Sequence, residues 1–153
     1  MTTISGLPAH ALLVHAIVVL APLTALLEIL CAIWPAARQR LVWLVLALAA
    51  TNLVLTPVTT DAGEWLYDQK QQHSPILQEH ADLGEWMIYF SVALLVVAIA
   101  LAVLHRLEGR SDKRRTIATI IVAIVALAVG ASSIVGVYRI GDAGAQSVWG
   151  GGR

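Results

Sequence analysis

Apolar residues fall in four long blocks separated by short polar stretches: Leu12 to Trp34, Leu41 to Val58 with an extension through Thr59 and Thr60, Trp86 to Leu104, and Ile117 to Val137. Crossing about 30 Å of hydrocarbon takes roughly 20 mostly apolar helical residues. A helix of a soluble core would carry a polar stripe at helical period. These blocks read as apolar all round, as lipid-facing helices do. The expectation is an all-α integral membrane four-helix bundle. It is a single domain over residues 1–140 with spans of about 12–34, 41–60, 86–104 and 117–137, followed by a short tail, 141–153. Ser74-Pro75 has the form of a helix start, serine at the N-cap and proline at the first helical position. The third helix is therefore expected to begin above the membrane, near Pro75, and DAGEWLYDQ to extend the second helix outward. Pro22 and Pro57 are candidate kinks.

Composition agrees. Hydrophobic residues make up 58% of the chain and charged residues 13%, which is far from a soluble domain. Formal net charge is zero, so there is no basic footprint for nucleic acid. The single cysteine, Cys31, cannot close an intramolecular disulfide, and no cysteine spacing of metal type exists. The opening residues MTTISGLPAH carry no positive region, which speaks for a retained first helix rather than a cleaved signal.

The charges then orient the bundle. Arg38 and Arg40 lie between the first two blocks; Arg106, Arg110, Lys113, Arg114 and Arg115 lie between the last two. These are seven of the ten basic residues. The positive-inside bias places both loops in the cytoplasm and both termini outside, in a multi-pass protein of the plasma (inner) membrane. Trp34 and Trp43 would mark the inner interface, Trp65 and Trp86 the outer one.

Chemistry gathers at the outer mouth. Counted from the cytoplasmic ends of their helices at about 1.5 Å per residue, His10, Glu64, His80 and Asp142 come to one level, roughly 36 Å up. His15 lies about a turn deeper, about 140° around the helix from His10. A faint repeat accompanies the layer. AHAL around His10 resembles EHAD around His80, and Asp61-Ala62-Gly63 recurs as Asp142-Ala143-Gly144. Two helical hairpins related by an axis along the membrane normal would set His10 and His80 diagonally across the bundle. Imidazoles on facing helices can ligate a haem iron or, with carboxylates, build a metal site. His10, His15 and His80 are the candidate cofactor ligands, with Glu64 and Asp142 added for a metal. The competing reading is that such residues only solvate helix ends. His73 reads as a loop histidine. Glu28, inside the first block, is by default a functional-site candidate as an intramembrane carboxylate, with snorkelling toward Arg38 or Arg40 the favoured reading. Asn52 and Thr51 read as bonds across helices, and Gly130, Ser132, Ser133 and Gly136 as a close-packing seam.

GLPAHALLVHAIVVLAPL, TTDAGEWL, EHADLGEW and GDAGAQSVWG resemble, in that order and over nearly the whole chain, the bacterial membrane-protein family known as domain of unknown function 2231. The resemblance implies that His10 and His15 are its first-helix histidines. It matches Gly63 and Glu64 to a small-Gly-Glu element, His80, Gly84 and Glu85 to the third-helix start, and Gly141 to Ala145 to the closing motif. Ala11 stands where members usually have proline, and Asp142 where many have histidine, which weakens a scheme built on histidines alone. The occasional association of the family with redox domains tilts the expectation toward electron transfer.

The leading functional expectation is a membrane redox module binding haem b or a divalent transition metal at the outer face. The alternative is a non-catalytic accessory or assembly subunit of a larger, possibly respiratory, membrane complex. The partners are the lipid bilayer and either a redox complex or further copies of the chain. No nucleophile–base constellation marks a hydrolase or a transferase, and a transporter is disfavoured by the short chain and nearly uncharged mid-membrane.

Overall fold

The computed structural model describes residues 3–4, 7–70, 72–108 and 113–150. A minimal antiparallel pair, β1 (Thr3–Ile4) and β2 (Leu7–Pro8), precedes five helices. These are α1 (Ala9–Ile33), α2 (Pro35–Asp68), α3 (Pro75–Glu85), α4 (Met87–Arg106) and α5 (Lys113–Trp149). Read end to end, α3 and α4 form one rod, so four apolar rods are long enough to cross a membrane. Around the bundle the order is α1, α2, α4, α5, with α1 beside α2 and α5, and α4 beside the same two.

Local chemistry sets the ends. Pro35 starts α2 at a position that needs no N–H, and Trp34 before it is extended at φ −123°, ψ 104°. The turn between α1 and α2 is therefore a single residue. Arg38 and Arg40, read above as loop residues, are already helical, and Arg38 is buried. Ser74 caps α3 as expected, its hydroxyl accepting from the Leu77 N–H with Pro75 behind it. α1 and α2 continue through Pro22 and Pro57. The segment read as a tail is helical as far as Trp149. Trp34, Trp43, Trp65 and Trp86 are all exposed.

The helices are not featureless inside. Inward positions advance by alternating steps of four and three residues: Ile17, Ala21, Thr24, Glu28 and Cys31 on α1, and Arg38, Val42, Val45, Ala49, Asn52, Thr56 and Thr59 on α2. α4 gives Met87, Ser91, Leu94, Ala98 and Leu101, and α5 gives Ala126, Gly130, Ser133 and Val137. This is the heptad seam of a left-handed bundle. The buried polar side chains Thr24, Glu28, Arg38, Asn52, Thr56, Thr59, Ser91 and Ser133 all lie on it. Lipid supplies little hydrophobic drive between helices, so close approach and interhelical hydrogen bonds hold the seam. Asn52 donates to Thr24 Oγ1 at 2.9 Å, and Thr56 and Ser91 join their hydroxyls at 2.7 Å. Thr51 and Ser132, by contrast, are exposed and bond carbonyls of their own helices. Gly130 brings α5 onto α1, where an added Cβ would stand 2.8 Å from Ile29 Cδ1.

Candidate functional site

The seam continues at the same spacing beyond the apolar core. His10 lies seven residues before Ile17 on α1, and His80 seven before Met87 on the α3–α4 rod. Both rings consequently point between the helices at one end of the bundle. Their centroids are 6.2 Å apart with planes at 76°.

Each ring is pinned in the same way. His10 Nδ1 lies 2.9 Å from the Thr59 carbonyl of α2, and His80 Nδ1 lies 3.0 Å from the Ile140 carbonyl of α5. A carbonyl only accepts, so Nδ1 carries the proton in both rings. In the neutral imidazole the lone pair is then on Nε2. One turn beyond each carbonyl is a glycine. A Cβ at Gly63 would stand 2.8 Å from the His10 ring, and one at Gly144 would stand 2.8 Å from the His80 ring. The missing side chains are what allow the rings to lie against the helices. His10 to His80 is a step of 70 residues; Thr59 to Ile140 and Gly63 to Gly144 are both steps of 81. Those are the offsets of the sequence repeat, so the two half-sites follow its pseudo-two-fold relation.

His80 stands on α3. The α3–α4 rod of 32 residues is about 48 Å long, well over the hydrocarbon thickness, so α3 projects beyond the span. Burial is the largest influence on His80 and holds it below the usual histidine range. The Ile140 carbonyl works against this and His10 reinforces it.

The other candidates lie elsewhere. His15 is exposed on the outside of the bundle, its Nδ1 turned to the Ala11 carbonyl of its own helix. Glu64 and Asp142 are exposed as well. Each follows a seam position by one or precedes it by two, which turns it outward. Asp142 accepts from Gln146 at 2.9 Å and lines an open groove of about 290 Å³ with Glu79 and Arg139. Among the described residues no three His, Cys, Asp or Glu side chains meet in a group that could hold a metal ion. His73 is a loop histidine as read: it stacks on Tyr67 at 3.9 Å and bonds the Tyr67 carbonyl.

A second polar group, not singled out in the sequence, closes the opposite end. Arg38 Nε donates to Glu108 at 2.8 Å and Nη1 to the Cys31 carbonyl at 3.2 Å. His105 stands 3.3 Å from the other Glu108 oxygen, and the Arg106 guanidinium lies 5.0 Å over Trp43. The signal was Arg38 itself, four residues before Val42 on the buried face of α2.

The glycines make the histidine geometry testable. In Gly63→Ala the new methyl group must displace the His10 ring from Thr59, because that ring is the movable partner. We expect a loss of about 1 kcal/mol, the worth of one hydrogen bond. It should be read by unfolding in mixed micelles, together with a changed ring-proton resonance for His10. An unchanged resonance would mean that the ring does not rest on Gly63.

A protein-family model, that of DUF2231, described as a predicted membrane protein, matches residues 6–152. No curated protein and no solved structure matches the chain.

Proposed function

The chain belongs to this family of predicted membrane proteins, and we propose that it is a multi-pass membrane module that takes a metal ion, free or as haem iron, between His10 and His80. One observation carries the reading: each imidazole gives its Nδ1–H to a carbonyl of the helix it packs on. That is the orienting bond a metal-bound histidine almost always makes, and it directs the remaining lone pair to the ligand. The 6.2 Å spacing of the rings accommodates one atom bonded to a nitrogen of each at about 2 Å. The exposed positions of His15, Glu64 and Asp142 favour this two-nitrogen site over one with mixed ligands. Imidazole suits iron, copper, nickel and zinc, and with iron or copper the role is electron transfer.

The test is an absorption spectrum with elemental analysis of the detergent-purified protein. A Soret band that moves on reduction identifies haem, and metal without that band identifies a free ion. Protein still free of both after reconstitution sinks the proposal. Co-purification with a larger complex would then favour the accessory-subunit role.

The orientation belonging to this reading puts the histidine end and both termini outside the inner membrane, from the seven basic residues at the other end. A cysteine at Gln72 should react with an impermeant thiol reagent added to whole cells, and one at Ser111 should not. The reverse pattern would invert the protein.

A further inference from the structure

Glu28 lies within α1 and is fully buried. The sequence made it a snorkelling carboxylate, yet neither carboxyl oxygen has a hydrogen-bond partner among the described residues. Arg38 does not serve it, being engaged by Glu108 and the Cys31 carbonyl. Two further seam oxygens are in the same condition, Asn52 Oδ1 and Ser133 Oγ.

These orphans are close in height: Asn52 and Ser133 each stand about one helical turn from Glu28. Asn52 is tied to Thr24, one turn from Glu28, at 2.9 Å. Gly130 lies against Ala25 and Ile29, on either side of Glu28, and Ser133 is the next seam position on α5. Their orientation is also shared. The Asn52 amide gives its hydrogens to Thr24 Oγ1 and the Leu48 carbonyl, which leaves only its acceptor unused. Thr24, Thr51, Thr56, Thr59, Thr119 and Ser132 each return a hydroxyl to the carbonyl four residues back. Ser133 does not, so its hydroxyl is unspent. The centre of the bundle thus presents four oxygens and one spare donor. A carboxylate there would hold a whole charge away from water with no partner among the described residues, which burial strongly disfavours.

We infer that Glu28, Asn52 and Ser133 form a proton-binding site enclosed within the bundle. One proton passes from a hydronium ion to a Glu28 oxygen: an O–H bond of hydronium breaks, an O–H bond forms on the carboxyl group and water is left behind. The protonated oxygen becomes a donor, the charge is removed and no electron moves. The charged and titratable groups toward the site are Cys31 on α1, Arg38 on α2, His105 on α4 and Glu108 beyond it. α5 has no charged residue between Arg115 and Arg139. The site is independent of His10 and His80, and is tested on metal-free protein.

Infrared spectroscopy of the protein in lipid nanodiscs at neutral pH should show a carboxylic-acid carbonyl band that shifts in heavy water. The band should be lost in Glu28→Gln and displaced in Ser133→Ala. Should Glu28→Gln fail to fold, a hydrophobic carbodiimide applied to the wild type gives a second reading. It should form an adduct at Glu28, mapped by peptide mass, whose yield falls as pH rises and is indifferent to sodium chloride. Absence of the band at neutral pH, its survival in Glu28→Gln, or protection of Glu28 by sodium would overturn the inference, the last by making the ligand a sodium ion.

Discussion

His10→Ala and His80→Ala proteins are expected to insert and pack as the wild type does, yet to lose the metal ion or haem. Insertion rests on four apolar rods whose backbone groups are satisfied within each helix, and neither histidine is needed for that. Each change removes one interhelical bond, from His10 to Thr59 or from His80 to Ile140, at about 1 kcal/mol. Metal affinity should respond far more. Outer partners of a ligand already carry roughly 10–100-fold, and removal of one of two nitrogen ligands should exceed ~100-fold. His15→Ala, Glu64→Gln and Asp142→Asn should retain the metal, because those side chains face outward. Acid should release it as well. A ligand must be unprotonated, and the depression of His80 moves this release to lower pH than an ordinary histidine would give. Metal content measured across these variants decides the matter. Full occupancy in both histidine variants would remove the site.

The four rods could be read from hydropathy, because burial in lipid is a property of whole segments and composition reports it directly. The start of α3 could be read from Ser74-Pro75, where two local requirements coincide. Azimuth is a different quantity from height, and a common height for His10, Glu64, His80 and Asp142 does not say which of them turn inward. His10 and His80 came out together because the repeat carried the same phase into both hairpins. Glu64 reaches the expected level but is turned about 100° from Gly63, so the glycine meets the ring and the carboxylate meets the surroundings. The same omission hid the seam. Glu28 and Asn52 stand out singly, Asn52 as the bond across helices that it makes to Thr24, whereas Thr24, Thr56 and Thr59 are unremarkable among apolar neighbours; only the alternating steps of four and three show that all five lie on the inward face. Arg38 was lost for a further reason. By position it reads as a loop charge, yet Pro35 starts the helix early enough to turn Arg38 inward.

Arg38→Met should be the most destabilising single change at the other end of the bundle. Its guanidinium ties α2 to the Cys31 carbonyl of α1 and to Glu108 beyond α4, so one side chain fastens three rods. Its side chain is 2% exposed and that of Glu108 is 14%. Breaking a fully buried pair costs about 3–5 kcal/mol, since the partner is left uncompensated; the opening at Glu108 argues for the lower end, about 3 kcal/mol. Arg38→Lys should fall between the two, keeping the charge but not the planar fork that reaches both acceptors. The effect should also depend on pH. Burial by itself raises Glu108, but hydrogen bonds from Arg38 and Gln39 and the charges of Arg38 and His105 outweigh it and hold the carboxyl below its usual range. A carboxyl lowered by folding stabilises the folded state fully above its unfolded value, near 4.3, and loses that contribution as pH falls through the folded value. The gap between wild type and Arg38→Met should therefore be widest at neutral pH and narrow below about pH 4. Unfolding in mixed micelles at the two pH values measures it. Equal stability of the two proteins at neutral pH would show that the Arg38–Glu108 pair does not fasten the bundle.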